Sequence, residues 1–209
     1  TRNHSSRKEA PALVNVIDSR IFATTSSPTL AEGLTFQPGV RVENDCQNCG
    51  FTQARINGLD GHYSQVLIDS RPVFSALAGV YGLEQIPSSM IDRVEVVRGG
   101  GSALFGASAI GGTINIITKE AMSSSAGISH DLTSIGVSGA LDNNTSLNAS
   151  MVTDDGRGGL FVFGQKRLRD GYDADGDGFT DIPMINSITV GTRGHLRVNP
   201  FSKIRLEYH

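Results

Sequence analysis

Tryptophan is absent from the 209 residues, cysteine occurs twice, and lysine and arginine together (18) are outnumbered by aspartate and glutamate (21). A surface that grips nucleic acid carries a basic excess to neutralise phosphates. A net charge of −3 and a pI near 5.9 therefore point away from that partner class. No apolar run approaches the ~18 residues that a membrane-spanning helix needs. The opening TRNHSSRKEAP lacks the apolar stretch of a signal peptide. A soluble protein, a mature fragment and a β-structured membrane protein all stay open, because spanning strands leave a weak signal per segment. Serine lies in no GxSxG elbow and the five histidines are scattered, so no catalytic set and no enzyme activity are expected.

The two cysteines, Cys46 and Cys49, sit together in DCQNCG. Structural zinc takes four protein ligands, and only Asp45 and His62 stand nearby as further candidates. A disulfide that pinches a loop in an oxidising compartment is the favoured reading, with free or redox-active thiols and a metal as the alternatives. No βαβ frame surrounds the pair, which weakens the redox alternative.

The pattern of the chain changes near residue 122. Before it, short mixed elements are expected: a strand over Ala12–Ile17, then a short helix in SSPTLAEGLTFQPG. In that helix Ser27 serves as N-cap, Pro28 opens the first turn, and Leu30, Leu34 and Phe36 share a face, while Gly33 and Pro38 keep it short. Strands follow at Val40–Glu43, Gln53–Asn57, Gln65–Asp69 and Arg93–Arg98, the last fed by a helical turn in PSSMID. After AMSSSAG the helical period disappears. GISHDLTSIGVSGALD, TSLNASMV, GLFVFGQKRLRD, SITVGTRGHLRV and KIRLEYH alternate in character, with DNN, DDGRGG, DADGDGFTD and NPFS between them. Their lengths suit strands that cross a bilayer at a tilt and would also suit a soluble meander. The last segment stops in mid-strand at Tyr208–His209, which would leave an open edge, so the chain is expected to be a fragment.

Of the 25 glycines, several crowd into VEVVRGGGSALFGASAIGGTINIITK, residues 94–119. A phosphate cradle is the first candidate, but GxxxxGK[ST] is absent and GxGxxG spacing is met only loosely, at Gly99, Gly101 and Gly106. The stretch instead resembles the segment VEVxRGPxSxLYGxxAxGGxINIITK that closes the plug domain of TonB-dependent outer-membrane receptors. Val94, Glu95, Val96, Arg98, Gly99, Ser102, Leu104, Gly106, Ala109, Gly111, Gly112 and Ile114–Lys119 stand at matching places. Further matches precede it in order: APALVNVID, LAEGLTFQPGV, RINGL, VLIDSRPV and IPSSMIDRVEVVRG. Three positions depart from the family pattern. Gly100 replaces its usual proline, Phe105 its tyrosine, and Asn57 an arginine that in many members pairs with barrel acids.

The resemblance implies an α+β plug domain over residues 1–121, a small mixed sheet with short helices. Residues 122–209 would be antiparallel strands of a truncated transmembrane β-barrel, the first of about 22. It implies import across the outer membrane of a scarce, large ligand such as a ferric siderophore, haem or cobalamin. TonB would be the energising partner, acting through a segment upstream of Thr1, and outer-membrane lipid would surround the barrel. Glu95 and Arg98 would belong to a plug–barrel lock, with ordinary pairing within the sheet as the alternative. Ligand contacts would come from the loops Asp45–Thr52 and Val73–Glu84, at Asn48, Phe51, Phe74, Leu77 and Tyr81, unless those side chains are plug core.

The remaining candidate is DADGDGFTD. Asp173, Asp175, Asp177 and Asp181 occupy positions 1, 3, 5 and 9 of an EF-hand-like loop with Gly178 at position 6, but position 12 is Met184 instead of a bidentate glutamate. Weak calcium binding and a merely solvated acidic loop are the two readings. The competing class for the whole chain is a soluble β-rich binding or adhesion module stabilised by that calcium.

Overall fold

A computed structural model of the chain describes residues 14–46, 51–72, 82–99, 109–137 and 139–208. They divide into two compact units, Thr1–Thr118 and Lys119–His209. The strands of the first are β1 (Val14–Asp18), β2 (Val40–Cys46), β3 (Phe51–Ile56), β4 (Ser64–Ile68), β5 (Arg71–Pro72), β6 (Ile91–Arg98) and β7 (Gly112–Thr118). Two short helices, α1 (Ser19–Thr24) and α2 (Leu30–Leu34), lie between β1 and β2.

Five of these strands form one mixed sheet in the order β1-β6-β7-β4-β5, and β2 and β3 form a separate hairpin. Strand β7 is central, antiparallel to β6 and parallel to β4. Its sequence GTINIIT fits that place: Ile114 and Ile116 turn one way, Thr113 and Asn115 the other, and all four are buried. A bulge opposite β7, between Ile91 and Arg93, resets the alternation of β6, so that Ile91 reaches the core together with Val94 and Val96. Leu30, Leu34, Ile56 and Leu67 complete a wholly buried aliphatic core. Each such side chain contributes about 1.5–3 kcal/mol relative to exposure.

The helices differ from expectation. Asp18 caps α1, accepting from the N–H groups of Arg20 (2.9 Å) and Ile21 (3.2 Å). The sequence reading missed this helix because only Phe22 in it is buried, which leaves no helical stripe to detect. The N-cap of α2 is Thr29, not Ser27. Ser27 instead shares a hydrogen bond with Thr25 (2.7 Å), and Pro28 precedes the helix, its carbonyl accepting from the Ser88 N–H. Phe36, expected on the buried face, is 56% exposed.

The second unit is a single antiparallel sheet of β8 (Ser125–Ile135), β9 (Ala140–Val152), β10 (Gly158–Arg169), β11 (Ile185–Asn199) and β12 (Ser202–Tyr208). They pair in chain order, so each strand lies beside its sequence neighbour. The connection from Ile135 to Ala140 and a long loop at 170–184 lie at one end. The turns at 153–157 and 200–201 close the other, which is also where the connection from the first unit enters β8. Among the described residues no helix is long and apolar enough to cross a membrane.

Candidate functional site

The second sheet reverses the usual relation between polarity and exposure. On β9 and β10 one face carries Asn144, Ser146, Ser150, Gln165 and Arg167, all buried. The opposite face carries Leu147, Met151, Leu160 and Leu168, all exposed. The same alternation continues across the pairings: Ile128 and Leu132 on β8, Ile188 and Val190 on β11, and Ile204 and Leu206 on β12 stand on the apolar side and are exposed. A soluble module would turn such a face inward, and a monomer in water rarely shows an apolar patch spread over a whole sheet. Alternation with an apolar outer side and a polar inner side is the arrangement that a bilayer requires of spanning strands.

Cross-strand hydrogen bonds link polar side chains of the buried face. Gln165 Nε2 donates to Asn144 Oδ1 (2.7 Å), Asn144 Nδ2 donates to Asp131 Oδ2 (3.3 Å), and Ser129 and Ser146 share a bond of 2.7 Å. Arg167 meets Asp142 through Nε and Nη2, at 3.0 and 2.5 Å, with both side chains largely buried. A buried pair of this kind adds little net stability while intact, but losing one partner strands a charge.

In the first unit the residues expected to lock the plug lie on β6. Glu95 accepts from Arg93 Nε (3.0 Å) and from Asn115 Nδ2 (3.4 Å), both within its own sheet. Arg98 ends β6 with its guanidinium against Gly39: a Cβ added there would stand 2.6 Å from an Arg98 terminal nitrogen. The Arg98 Nε is buried without a hydrogen-bond partner among the described residues. Asn57, where the family pattern has arginine, is left-handed (φ 54°) and with Gly58 makes the two-residue turn between Ile56 and Leu59. Asparagine is among the few residues that accept this conformation readily.

The described closing glycines stand where β6 and β7 come together. Strands β6 and β7 lie antiparallel with Arg98 opposite Gly112, and the Gly99 N–H donates to the Gly111 carbonyl at 3.1 Å. Gly99 has φ +88° and Gly112 φ +149°.

Of the ligand contacts expected from sequence, Asn48, Phe74, Leu77 and Tyr81 lie outside the described residues, as do the Phe51 side chain and the Cys46–Cys49 pair. The backbone of Phe51 opens β3 and that of Cys46 ends β2.

In the 170–184 loop, carboxylate oxygens of Asp173, Asp175 and Asp177 lie within 4.8 Å of one another. Asp181 does not join this group; its Oδ2 accepts from the Ala174 N–H at 2.8 Å. The three clustered carboxylates also accept from the loop's own amides, Asp173 from Gly176 and Gly178, Asp175 from Asp177, and Asp177 from Phe179. Hydrogen bonds from the Gly178 and Gly176 amides hold the Asp173 carboxyl below its ordinary value. This loop closes the end of the sheet opposite to the 119–124 connection.

Residues 6–113 match the family described as the TonB-dependent Receptor Plug Domain. Over 121 residues the chain is 33% identical to the vitamin B12 transporter BtuB of Vibrio cholerae, across 57% of this chain and 20% of that protein. Over 127 residues it is 29% identical to the ferric enterobactin receptor of Pseudomonas aeruginosa, across 54% of this chain and 17% of that protein. Among solved structures, the siderophore receptor PirA from Acinetobacter baumannii shares the fold with a TM-score of 0.81 at 18% identity, over 96% of this chain and 31% of that one. The chain thus spans about a fifth of the length of these curated relatives and about a third of the solved receptor.

Proposed function

Because the chain belongs to the TonB-dependent receptor family, with its plug domain at residues 6–113, we propose that it is the plug and first wall strands of an outer-membrane transporter. The transporter imports a scarce, large ligand, either cobalamin or an iron chelate such as a ferric siderophore or haem, and performs no covalent chemistry. The observation that carries this reading is the reversed second sheet, whose exposed face carries apolar side chains on every strand from β8 to β12 and whose buried face, apart from Phe161 and Phe163, is polar. A wall of that kind sits in lipid with its polar side toward a lumen. The α+β unit that precedes it has an aliphatic core of its own, as a separately folded stopper requires.

Within this reading TonB supplies the driving force. Asn48, Phe51, Phe74, Leu77 and Tyr81 contact the ligand, and Glu95 and Arg98 contribute to holding the plug in the barrel. Support for the last role comes from Arg98, whose partly buried guanidinium has an unpaired Nε among the described residues. The relatives named for vitamin B12 and for ferric enterobactin bracket the ligand classes.

The test is uptake by the full-length receptor, expressed in a Gram-negative strain without its own cobalamin and siderophore receptors. Radiolabelled cobalamin, a ferric catecholate and haem are offered with and without TonB. Accumulation of one of them that disappears without TonB is the expected result. No TonB-dependent accumulation of any of the three overturns the reading.

A further inference from the structure

The chain leaves the first unit at Thr118 and enters the second at Lys119. A carboxylate holds it on each side of that step. Before the step, Asp69 accepts from the Thr118 backbone N–H (3.2 Å) and from its Oγ1 (2.8 Å), while the Asp69 N–H donates to the Ile116 carbonyl (2.8 Å). After the step, Glu120 meets Lys203 Nζ at 2.5 Å and Arg205 Nη2 at 2.7 Å, both on β12. The Glu120 side chain is only 22% exposed. Burial acts to raise its carboxyl, but the Lys203 hydrogen bond and the charges of Arg205 and Lys203 prevail and hold it below the ordinary carboxylate range. Charge-assisted contacts of this kind are the stronger class of hydrogen bond.

The grip on Thr118 is built from strained backbone. Asp69 (φ 48°) and Ser70 (φ 65°) are both left-handed and form the two-residue turn between Ile68 and Arg71, which pair across it. Such a turn normally takes glycine at its second place, and here serine stands there. Residues held in sparsely populated conformations persist where their surroundings over-determine them. Here the surroundings are the end of β7. Asn115 Oδ1 accepts from the Ser70 N–H at 2.9 Å, and Asn115 and Thr118 are both buried. The Asp69 side-chain contacts extend the β4–β7 pairing to the last residue of β7, and the Glu120 contacts tie the connecting chain to β12, a strand far from it in sequence.

The geometry points to Asp69 and Glu120 as a pair of positioning residues that pin the chain where plug passes into barrel. The plug movement that transport requires then leaves the β4–β5 turn and the end of β7 together, and leaves Glu120 on β12. This rests on the transport reading above, since only a plug that moves needs a fixed end.

Hydrogen exchange read by mass spectrometry on the full-length receptor in detergent micelles tests it. Asp69→Ala and Glu120→Gln are each expected to speed exchange in peptides covering 112–122 about fivefold or more, the scale of one lost hydrogen bond. The double variant should exceed either single one. Exchange of the β2–β3 hairpin should stay unchanged, whereas a general loss of stability would move both regions. Ser70→Gly keeps both carboxylate grips and relieves the turn, so it should leave 112–122 as protected as in the parent or more so. Should Asp69→Ala fail to assemble, as judged by heat-modifiable gel migration, Asp69→Asn replaces it and should give a smaller increase in the same peptides. Parent-like protection of 112–122 in the double variant overturns the clamp, and so does an equal increase in the β2–β3 hairpin. A receptor that shows the expected exchange but imports none of the three ligands leaves the clamp standing and overturns the transport reading instead.

Discussion

Gly99 and Gly112 look alike in sequence, yet the structure asks different things of them. Both have positive φ, but a Cβ at Gly99 would meet nothing within 4 Å among the described residues, whereas one at Gly112 would stand 2.3 Å from the Val97 carbonyl oxygen and 3.0 Å from Ile56 Cδ1. Gly99→Ala therefore carries only the left-handed strain, about 1–2 kcal/mol. Gly112→Ala adds a clash with backbone that cannot turn aside, and its loss should reach roughly 3–4 kcal/mol. Urea unfolding of the intact receptor, followed at the plug, measures both, and equal losses would refute the distinction. The need for glycine beside these two strands was legible in VEVVRGGGSALFGASAIGGTINIITK. The carbonyl contact was not, because it depends on the register that sets Arg98 opposite Gly112.

At the scale of elements, the apolar face of the second sheet makes its own demand. Leu147 lies near the middle of β9, opposite Gly164 of β10, and is 51% exposed. In a bilayer that exposure is to hydrocarbon, so Leu147→Arg should destabilise the folded barrel by about 2–4 kcal/mol. Reversible unfolding in lipid vesicles reads the change, and an unaltered midpoint would mean that this side of the sheet does not face lipid. Helix α1 gives a pH-dependent case. Its six residues are too few to hold a helix alone, and Asp18 supplies the cap. The Arg20 hydrogen bond, with the Ile21 and Arg20 amides adding to it, keeps the Asp18 carboxyl below its ordinary value. A lowered carboxylate contributes its stability in full above the unfolded value near ~3.9 and loses it as pH falls through the folded value below that. Exchange protection at the Arg20 and Ile21 amides should accordingly be flat at neutral pH and fall only under strong acid. Protection that is lost already between pH 5 and 7 would assign the cap to another group.

At the scale of the whole chain, the sequence conveyed the succession of an α+β unit and alternating strands because each rests on local periodicity. Strands β2, β3, β4 and β6 lie close to their expected places for that reason. What it could not convey is carried by distant pairings. Strand β4 runs parallel to β7, and the Asp69 clamp joins residues 49 positions apart. Helix α1 was missed because its signal is one capping carboxylate instead of a stripe. The two units also resist unfolding for different reasons, and that difference can be measured. The first holds together by an aliphatic core, Leu30, Leu34, Val94, Val96, Ile114 and Ile116 among its members, which denaturant weakens by solvating apolar and peptide groups alike. The second has its apolar side exposed and its backbone groups paired strand to strand. A surrounding amphiphile offers those groups no alternative partner, so opening the sheet there costs several kcal/mol for each group left unpaired. In the intact receptor held in micelles, urea should therefore strip exchange protection from β6 and β7 at a lower concentration than from β9 and β10. Transitions that coincide, or a reversed order, would show that the two units unfold as one cooperative body and that the plug's stability is not its own.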